Sequence, residues 1–372
     1  MKTLLFVLLS CTVCSVLGQT DLFRNPNGNI YSFGTEEKRT AGITAGDVNG
    51  DGLLDVVVAN GRHWTDQNEI FLNNGRNGFT VSYPLGFYQS TSYAAELGDL
   101  DGDGDLDIVT GNDKAPNRLF FNDGKGNFTE RGTVGGLTNN TRNLTLADID
   151  SDGDLDVLIV NRGEANEICL NDGQGNFTEN LTFGGLKDST ISVTIHDMNG
   201  DGQQDLILAN RDGQGNFVYL QNNLKFETAI PFGTGTDETR AVAVADFNRD
   251  QIPDIATANI GEPDVVYFGN SQNTYEQKTI LSPDNTPTGS IHIADFDQDG
   301  DMDIVCGIEG PNRIYRNRGK GQSFEMLTLS QQEFDTYDIG FFDLNNDGYP
   351  DVIEANSGDL NVYYWNLTGR KK

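Results

Sequence analysis

The residues best placed to do chemistry in this chain are aspartates, and they recur at a fixed spacing. Seven nine-residue stretches read Asp-x-Asp/Asn-x-Asp-Gly-x-x-Asp or a close variant, with starts 52, 49, 49, 49, 49 and 48 residues apart. Oxygen-bearing side chains fall at positions one, three, five and nine. The sets are Asp47, Asn49, Asp51 and Asp55; Asp99, Asp101, Asp103 and Asp107; Asp148, Asp150, Asp152 and Asp156; Asp197, Asn199, Asp201 and Asp205; Asp246, Asn248, Asp250 and Asp254; Asp295, Asp297, Asp299 and Asp303; and Asp343, Asn345, Asp347 and Asp351. A hard cation such as Ca2+ takes about six to eight oxygens, and alternate residues of a tight loop can aim theirs at one centre. A Gly at position six suits the positive φ of a sharp turn. The expected cofactor is therefore Ca2+, at up to seven sites. Loops starting at Asp99, Asp148 and Asp295 have acids at all four positions, plus Asp105, Asp154 or Asp301, and are expected to bind best. The loop at Asp246 is expected to be weakest, with Gln251 in place of Gly, Arg249 beside the ligands and Pro253 at position eight.

Loops of this kind must sit on something rigid. After each one comes a short β-branched run such as Asp-Val-Val-Val-Ala-Asn or Asp-Ile-Val-Thr-Gly-Asn, which reads as a strand. Before each one, apolar residues recur at alternate positions, as in Ile43 and Ala45 or Leu144 and Leu146, and many of the residues interleaved with them are small: Gly42, Ala94, Ser192, Ala241 and Ser290. Each acidic loop is thus the turn of a β-hairpin. A third strand (Asn-Glu-Ile-Phe-Leu-Asn and relatives), a glycine turn and a fourth strand complete each unit. Four strands per roughly fifty residues is a propeller blade, and a regular period means one supersecondary unit repeated. The expectation is an all-β, seven-bladed β-propeller of four-stranded blades. The last repeat stops after its third strand at Val362-Tyr363-Tyr364-Trp365, and Asn29-Ile30-Tyr31-Ser32-Phe33-Gly34 looks like its missing fourth. An N-terminal strand should therefore close the last blade and remove the open edges.

The whole of this region resembles the FG-GAP/VCBS repeat family, which includes the integrin α-subunit head, cartilage acidic protein-like proteins and some seven-bladed lectins. The resemblance rests on the seven acidic loops and covers residues from about 29 to 366. It implies calcium in loops between a blade's first and second strands and says little about the partner. Integrins and cartilage acidic proteins carry further domains, for which this chain has no room, so a bare propeller is expected.

The 372 residues carry a net charge of −31, and the ligand positions, four of which are Asn, take 24 of the 56 acids. The acidity is thus mostly internal to the loops, and it argues against a nucleic-acid partner, which wants a basic face. Residues 1–18 read as a secretory signal peptide, one cation followed by an apolar run, leaving a single domain over 19–372. No later apolar stretch reaches membrane-spanning length. The mature chain is expected to be secreted, extracellular and monomeric. Cys11 and Cys14 leave with the signal, while Cys169 and Cys306 occupy apolar strand positions in distant units and read as buried free thiols. Sequons occur at Asn127, Asn139, Asn143, Asn176, Asn180 and Asn366. All but Asn143, which falls on an inner strand, are expected to carry glycans.

No catalytic constellation is present, and an enzyme is not expected. His196 and His292 fall on inner strands beside the acidic loops, where a structural role fits. Recognition is expected instead from the variable loops on the opposite face. The longest connection between second and third strands carries Arg62, His63 and Trp64, an aromatic face with nearby donors and the best candidate contact for an extracellular protein or a glycan. Two readings stand side by side: a calcium-stabilised adhesion module that binds protein, or a calcium-stabilised lectin using pockets between blades. The inner strands begin with Ala41, Tyr93, Arg142, Ile191, Arg240, Gly289 and Tyr337. That diversity favours one asymmetric surface over repeated sugar pockets.

Overall fold

The computed structural model describes residues 22–24, 31–76, 78–282 and 284–369; the expected signal peptide lies outside them. Among the described residues there is no helix, and the strands form a β-propeller. Each acidic loop joins an inner strand to a second strand, as between Ser92–Gly98 and Asp107–Asn112. The second strands Asp55–Asn60, Asp107–Asn112, Asp156–Asn161, Asp205–Asn210 and Asp254–Asn259 are buried along their whole length. They are sandwiched between neighbours on both faces, which is why their sequence is continuously apolar rather than alternating.

Four of the units are separate four-stranded sheets. The remaining hairpins, at Asp47, Asp295 and Asp343, belong to one eleven-stranded sheet. Short pairings join them: Glu309 with Asp335 and Gly310 with Phe334 on one side, Ser32 with Val362 and Phe33 with Asn361 on the other. The latter is the expected closure. One strand, Ser32–Gly46, runs from the outer edge of the last unit into the inner position of the first. Phe23–Arg24 adds a second short pairing to Trp365 and Asn366. Asn29 and Ile30 of the expected strand lie outside the described residues.

The core is divided among the junctions between units. Because side chains alternate across a strand, Val56 and Val58 pack toward the last unit, with Phe33, Ile353 and Trp365. Val57 and Ala59 pack toward the second, with Ile108 and Phe120. The closure junction is rich in aromatic rings: Tyr31 stacks on Tyr363 at 5.1 Å, and Phe33 lies 4.8 Å from Phe79. Hydrogen bonds also cross it, from Asn361 Nδ2 to Thr40 Oγ1 at 2.9 Å and from Asn73 Nδ2 to the Leu344 carbonyl at 2.8 Å. Cys169 and Cys306 are free and buried, as expected.

Around the axis the inner strands enclose a central cavity of about 1040 Å³. They approach so closely that a Cβ on Gly42 would lie 2.9 Å from the Tyr93 carbonyl oxygen, which explains the small residues noted along them.

Candidate functional site

At one end of this cavity the seven acidic loops share a hydrogen-bond pattern. Asp47 Oδ1 accepts from the amides of Gly50 and Asp51, at 2.8 and 3.1 Å, and its Oδ2 from Gly52 at 2.8 Å. The first aspartate thus ties its own turn, and Gly52 sits at a φ of 84° that a side chain would strain.

The aspartate at position nine has a role that spacing alone did not suggest. Asp55 is fully buried; its Oδ2 accepts from the Val48 amide at 3.3 Å and its Oδ1 from Asn73, directly after the third strand, at 2.8 Å. The same pair of bonds recurs at Asp107, Asp156, Asp205, Asp254, Asp303 and Asp351. This carboxylate latches the loop to the third strand. Burial pushes its pKa up, to about 6 at Asp55, Asp107 and Asp156, about 7 at Asp254 and about 8 at Asp303 and Asp351, although the two amide donors pull it down. A nearby divalent cation reverses that cost by favouring the ionised form.

Two further positions escaped the sequence reading. Residue two of each loop is apolar and buried: Val48, Leu100, Ile149, Met198, Phe247, Phe296 and Leu344. Its carbonyl accepts from a side chain at the end of the next unit's third strand. Asn122 donates to Val48 at 2.8 Å, Asn171 to Leu100 at 2.8 Å, and Gln221 to Ile149 at 3.2 Å. The fifth unit has Gly269 at this position and cannot make the staple. The recurrence of Asn at the repeat's own period was the signal, masked because Asn is also a common turn residue.

Do these residues suit the implied calcium? The donor set is all oxygen, as that ion prefers. Three carboxylate oxygens lie within 4.8 Å of one another in each of the sets Asp99, Asp101 and Asp107; Asp148, Asp150 and Asp152; and Asp295, Asp297 and Asp299. In two of these loops the position-three carboxylate is engaged on one side only. Asp101 Oδ2 pairs with Arg131 at 3.0 Å and Asp297 Oδ2 with Arg316 at 3.3 Å, while each Oδ1 is buried without a hydrogen-bond partner. A buried carboxylate oxygen without a donor is costly, and a cation in the loop is the partner it lacks. The residues present therefore fit the ion.

The loop at Asp246 keeps the turn: Asp250 and Gln251 amides donate to Asp246 at 3.0 and 2.7 Å. It does so with Gln251 at a φ of 69°, where six loops have Gly. Arg249 points away from its own ligands, and its Nε pairs with Asp301 of the following loop at 2.6 Å.

At the opposite end every inner strand slips register once, at the same place. The bulged residues are Ala41, Tyr93, Arg142, Ile191, Arg240, Gly289 and Tyr337, and all seven line the cavity mouth. A bulge re-aims a side chain that regular pairing would fix. The structure divides the expected trio Arg62, His63 and Trp64. Trp64 is 65% exposed on the outer face, with Arg39 5.7 Å from its ring. Arg62 turns inward, bonding Asp335 Oδ2 at 2.8 Å and lying 3.8 Å over the Tyr337 ring. His63 Nδ1 is 2.9 Å from the Tyr93 hydroxyl. The trio is not one contact surface.

Of the sequons, Asn127, Asn176 and Asn180 are exposed, and Asn139 is half-buried, donating to Glu167. Asn366 is a correction. It is 1% exposed, and its Nδ2 donates to the carbonyls of Phe296 and Pro350, both at 2.9 Å. It is the inter-unit staple of the last unit, and a glycan would break both bonds at a site without room for it.

An FG-GAP-like repeat model matches residues 47–110, 99–159, 148–208, 197–257, 248–306 and 295–354. Among solved structures the chain is similar to BBS1N in complex with ARL6DN, at 12% identity and a TM-score of 0.58, covering 90% of this chain and 93% of that one. It is also similar to an Agrocybe aegerita lectin studied for specific recognition of non-reducing terminal N-acetylglucosamine, at 20% identity and a TM-score of 0.57, covering 87% and 86%. Both likenesses are of fold. Comparison with curated proteins returned no match.

Proposed function

Since this chain belongs to the FG-GAP-like repeat family, we propose that it is a secreted, seven-bladed, calcium-held propeller that acts as a non-catalytic extracellular recognition module. The blade count is supported by seven hydrophobic clusters, one at each junction of a closed ring. On this reading the eleven-stranded sheet is three blades, two of them joined by the short pairing at Glu309 and Gly310 and two by the strand Ser32–Gly46 that they share.

One observation carries the functional reading: the latch is repeated at all seven loops, while the bulged residues at the other mouth differ from neighbour to neighbour. Repetition suits a scaffold, and variation suits recognition. Calcium holds each hairpin by its own acids and stays within the scaffold. Asp99, Asp101, Asp103 and Asp107, with the corresponding residues of the other loops, would hold it; the ion supplies positive charge that lets clustered carboxylates stay ionised together. The loop at Asp246 is the weakest of the seven.

The partner is an extracellular protein or a glycan. The two similar structures share the fold with a protein-bound chain and a lectin, and at 12% and 20% identity neither transfers its ligand. Among the described residues no helix is long and apolar enough to cross a membrane. The test is a pair of arrays, extracellular proteins and glycans, probed with and without calcium. A single class of partner should be captured by the calcium-loaded chain. Capture that survives chelation undiminished, or none on either array, would overturn the reading.

A further inference from the structure

The mouth opposite the acidic loops is basic, in a chain whose net charge is −31. Five arginines line the cavity: Arg62, Arg142, Arg162, Arg211 and Arg240. Four are braced by carboxylates outside it, of which Asp335 shares a smaller neighbouring recess with Arg62, Arg240 and Glu309. Arg62 pairs with Asp335 at 2.8 Å, Arg142 with Asp113 at 3.3 Å, Arg162 with Asp212 at 2.7 Å and Arg211 with Glu238 at 3.5 Å. Arg240 is different. Among the described residues no carboxylate pairs with it, and its Nε is buried without a hydrogen-bond partner. Its guanidinium lies 4.2 Å over one side of the arrangement's central ring, Tyr337, which Arg62 also covers at 3.8 Å. Arg142 stacks on Tyr93 at 4.3 Å. Stacking fixes where these cations sit but neutralises none of them. An arginine fork held in place and left without an acid matches a carboxylate or sulfate.

The wall below the mouth mixes polar side chains with apolar ones such as Ile43, Val193, Ile195, Val242 and Ile291. Asn143, Thr145, Ser192 and Thr194 line it, with Glu96 and Asp338 among them. Hydroxyl, amide and carboxyl groups suit a ligand rich in hydroxyls, and the apolar side chains between them suit the C–H faces of its rings. The cavity, about 1040 Å³, is of the size that takes a small ligand or a chain end.

We propose that this mouth binds the acidic end of a saccharide, with Arg240 taking a uronate or sulfate group and the polar groups of the wall taking the sugar hydroxyls. The proposal deepens the recognition reading above and rests on it by naming the ligand chemistry.

Calorimetric titration of the calcium-loaded full chain with glucuronate and N-acetylglucosamine 6-sulfate tests it, with glucose and N-acetylglucosamine as the neutral parents. At least one acidic sugar should bind about tenfold or more tightly than its parent, and Arg240→Gln should abolish most of that preference. Arg240→Lys keeps the charge without the fork, should recover part of it, and carries the test if the Gln variant fails to fold. Equal affinity for acidic and neutral sugars, or an undiminished preference in the variant, overturns the site. So does tighter binding of an acetylated Asp-Glu dipeptide, which would move it to acidic peptides. If the array partner is captured equally well by Arg240→Gln chain, the recognition module stands and only the mouth is lost from it.

Discussion

At one end of the central cavity the inner strands turn through acidic loops whose hydrogen bonds repeat from copy to copy. At the other they begin with bulged residues, no two neighbours of which carry the same side chain. The two ends share strands, and the difference is one of constraint. A loop that must close a turn and latch a third strand tolerates little change. A bulged residue facing a cavity carries none of those duties, so its side chain is free to be specific. Ring symmetry is kept where it stabilises and broken where a ligand could be told from its competitors.

Chelation should separate the two ends most strongly. If up to seven loops each contribute about 1 kcal/mol or more through bound ion, removing calcium should lower the melting temperature by about 10 °C or more. Differential scanning calorimetry with and without chelator measures this, and coincident transitions would end the structural-metal claim. Next in size is the latch. Asp156→Ala leaves the Ile149 and Asn171 amides without an acceptor in a buried site and should cost about 3 kcal/mol in denaturant unfolding. A cost no larger than that of an exposed acid would show that the latch is dispensable. The loops themselves can be ranked: Asp99→Ala should cost about 1 kcal/mol more than Asp250→Ala when calcium is present, and the opposite order would refute the weakness assigned to the Asp246 loop.

The smallest effect belongs to the cavity wall. Burial, with a smaller push from Asp338, raises the Glu96 carboxyl from 4.5 to about 8. The folded chain therefore keeps this proton while the unfolded chain gives it up, and stability present below about pH 4.5 is lost as pH rises toward 8. Glu96→Gln removes that loss. A shift of that size is worth about 4 kcal/mol at pH 8. Glu96 is only half-buried against the open cavity, however, and solvent screens most of it. Relative to the parent, the variant should therefore gain on the order of 1 kcal/mol at pH 8 and nothing at pH 4. Equal differences at the two pH values would place Glu96 in an environment more like water.

Much of the scaffold was legible along the chain. The acidic loops, the strands that follow them, the closing N-terminal strand and the two free thiols were read from period and pattern, because each is a local rule repeated. The misreadings came where one residue type serves two purposes. Asn at the end of the third strand was read only as a strand residue, and it is a buried staple between units; at Asn366 the same staple also spells a sequon. Arg62, His63 and Trp64 are adjacent in sequence and were read together, yet the backbone sends the indole outward and the guanidinium into the cavity.

The sequence by itself determined the repeat, the recurring acidic positions and the order of strands, since these depend on side-chain alternation and short-range turns. Only the tertiary structure decided what stands beside what at the axis. Arg62, Arg240 and Tyr337 come from different units, and they meet because the ring closes, inner-strand bulges turn Arg240 and Tyr337 toward the centre, and the loop after Asn60 brings Arg62 in beside them. No local pattern encodes that meeting: it follows from closure, which brings residues some 300 positions apart, such as Thr40 and Asn361, within hydrogen-bond reach.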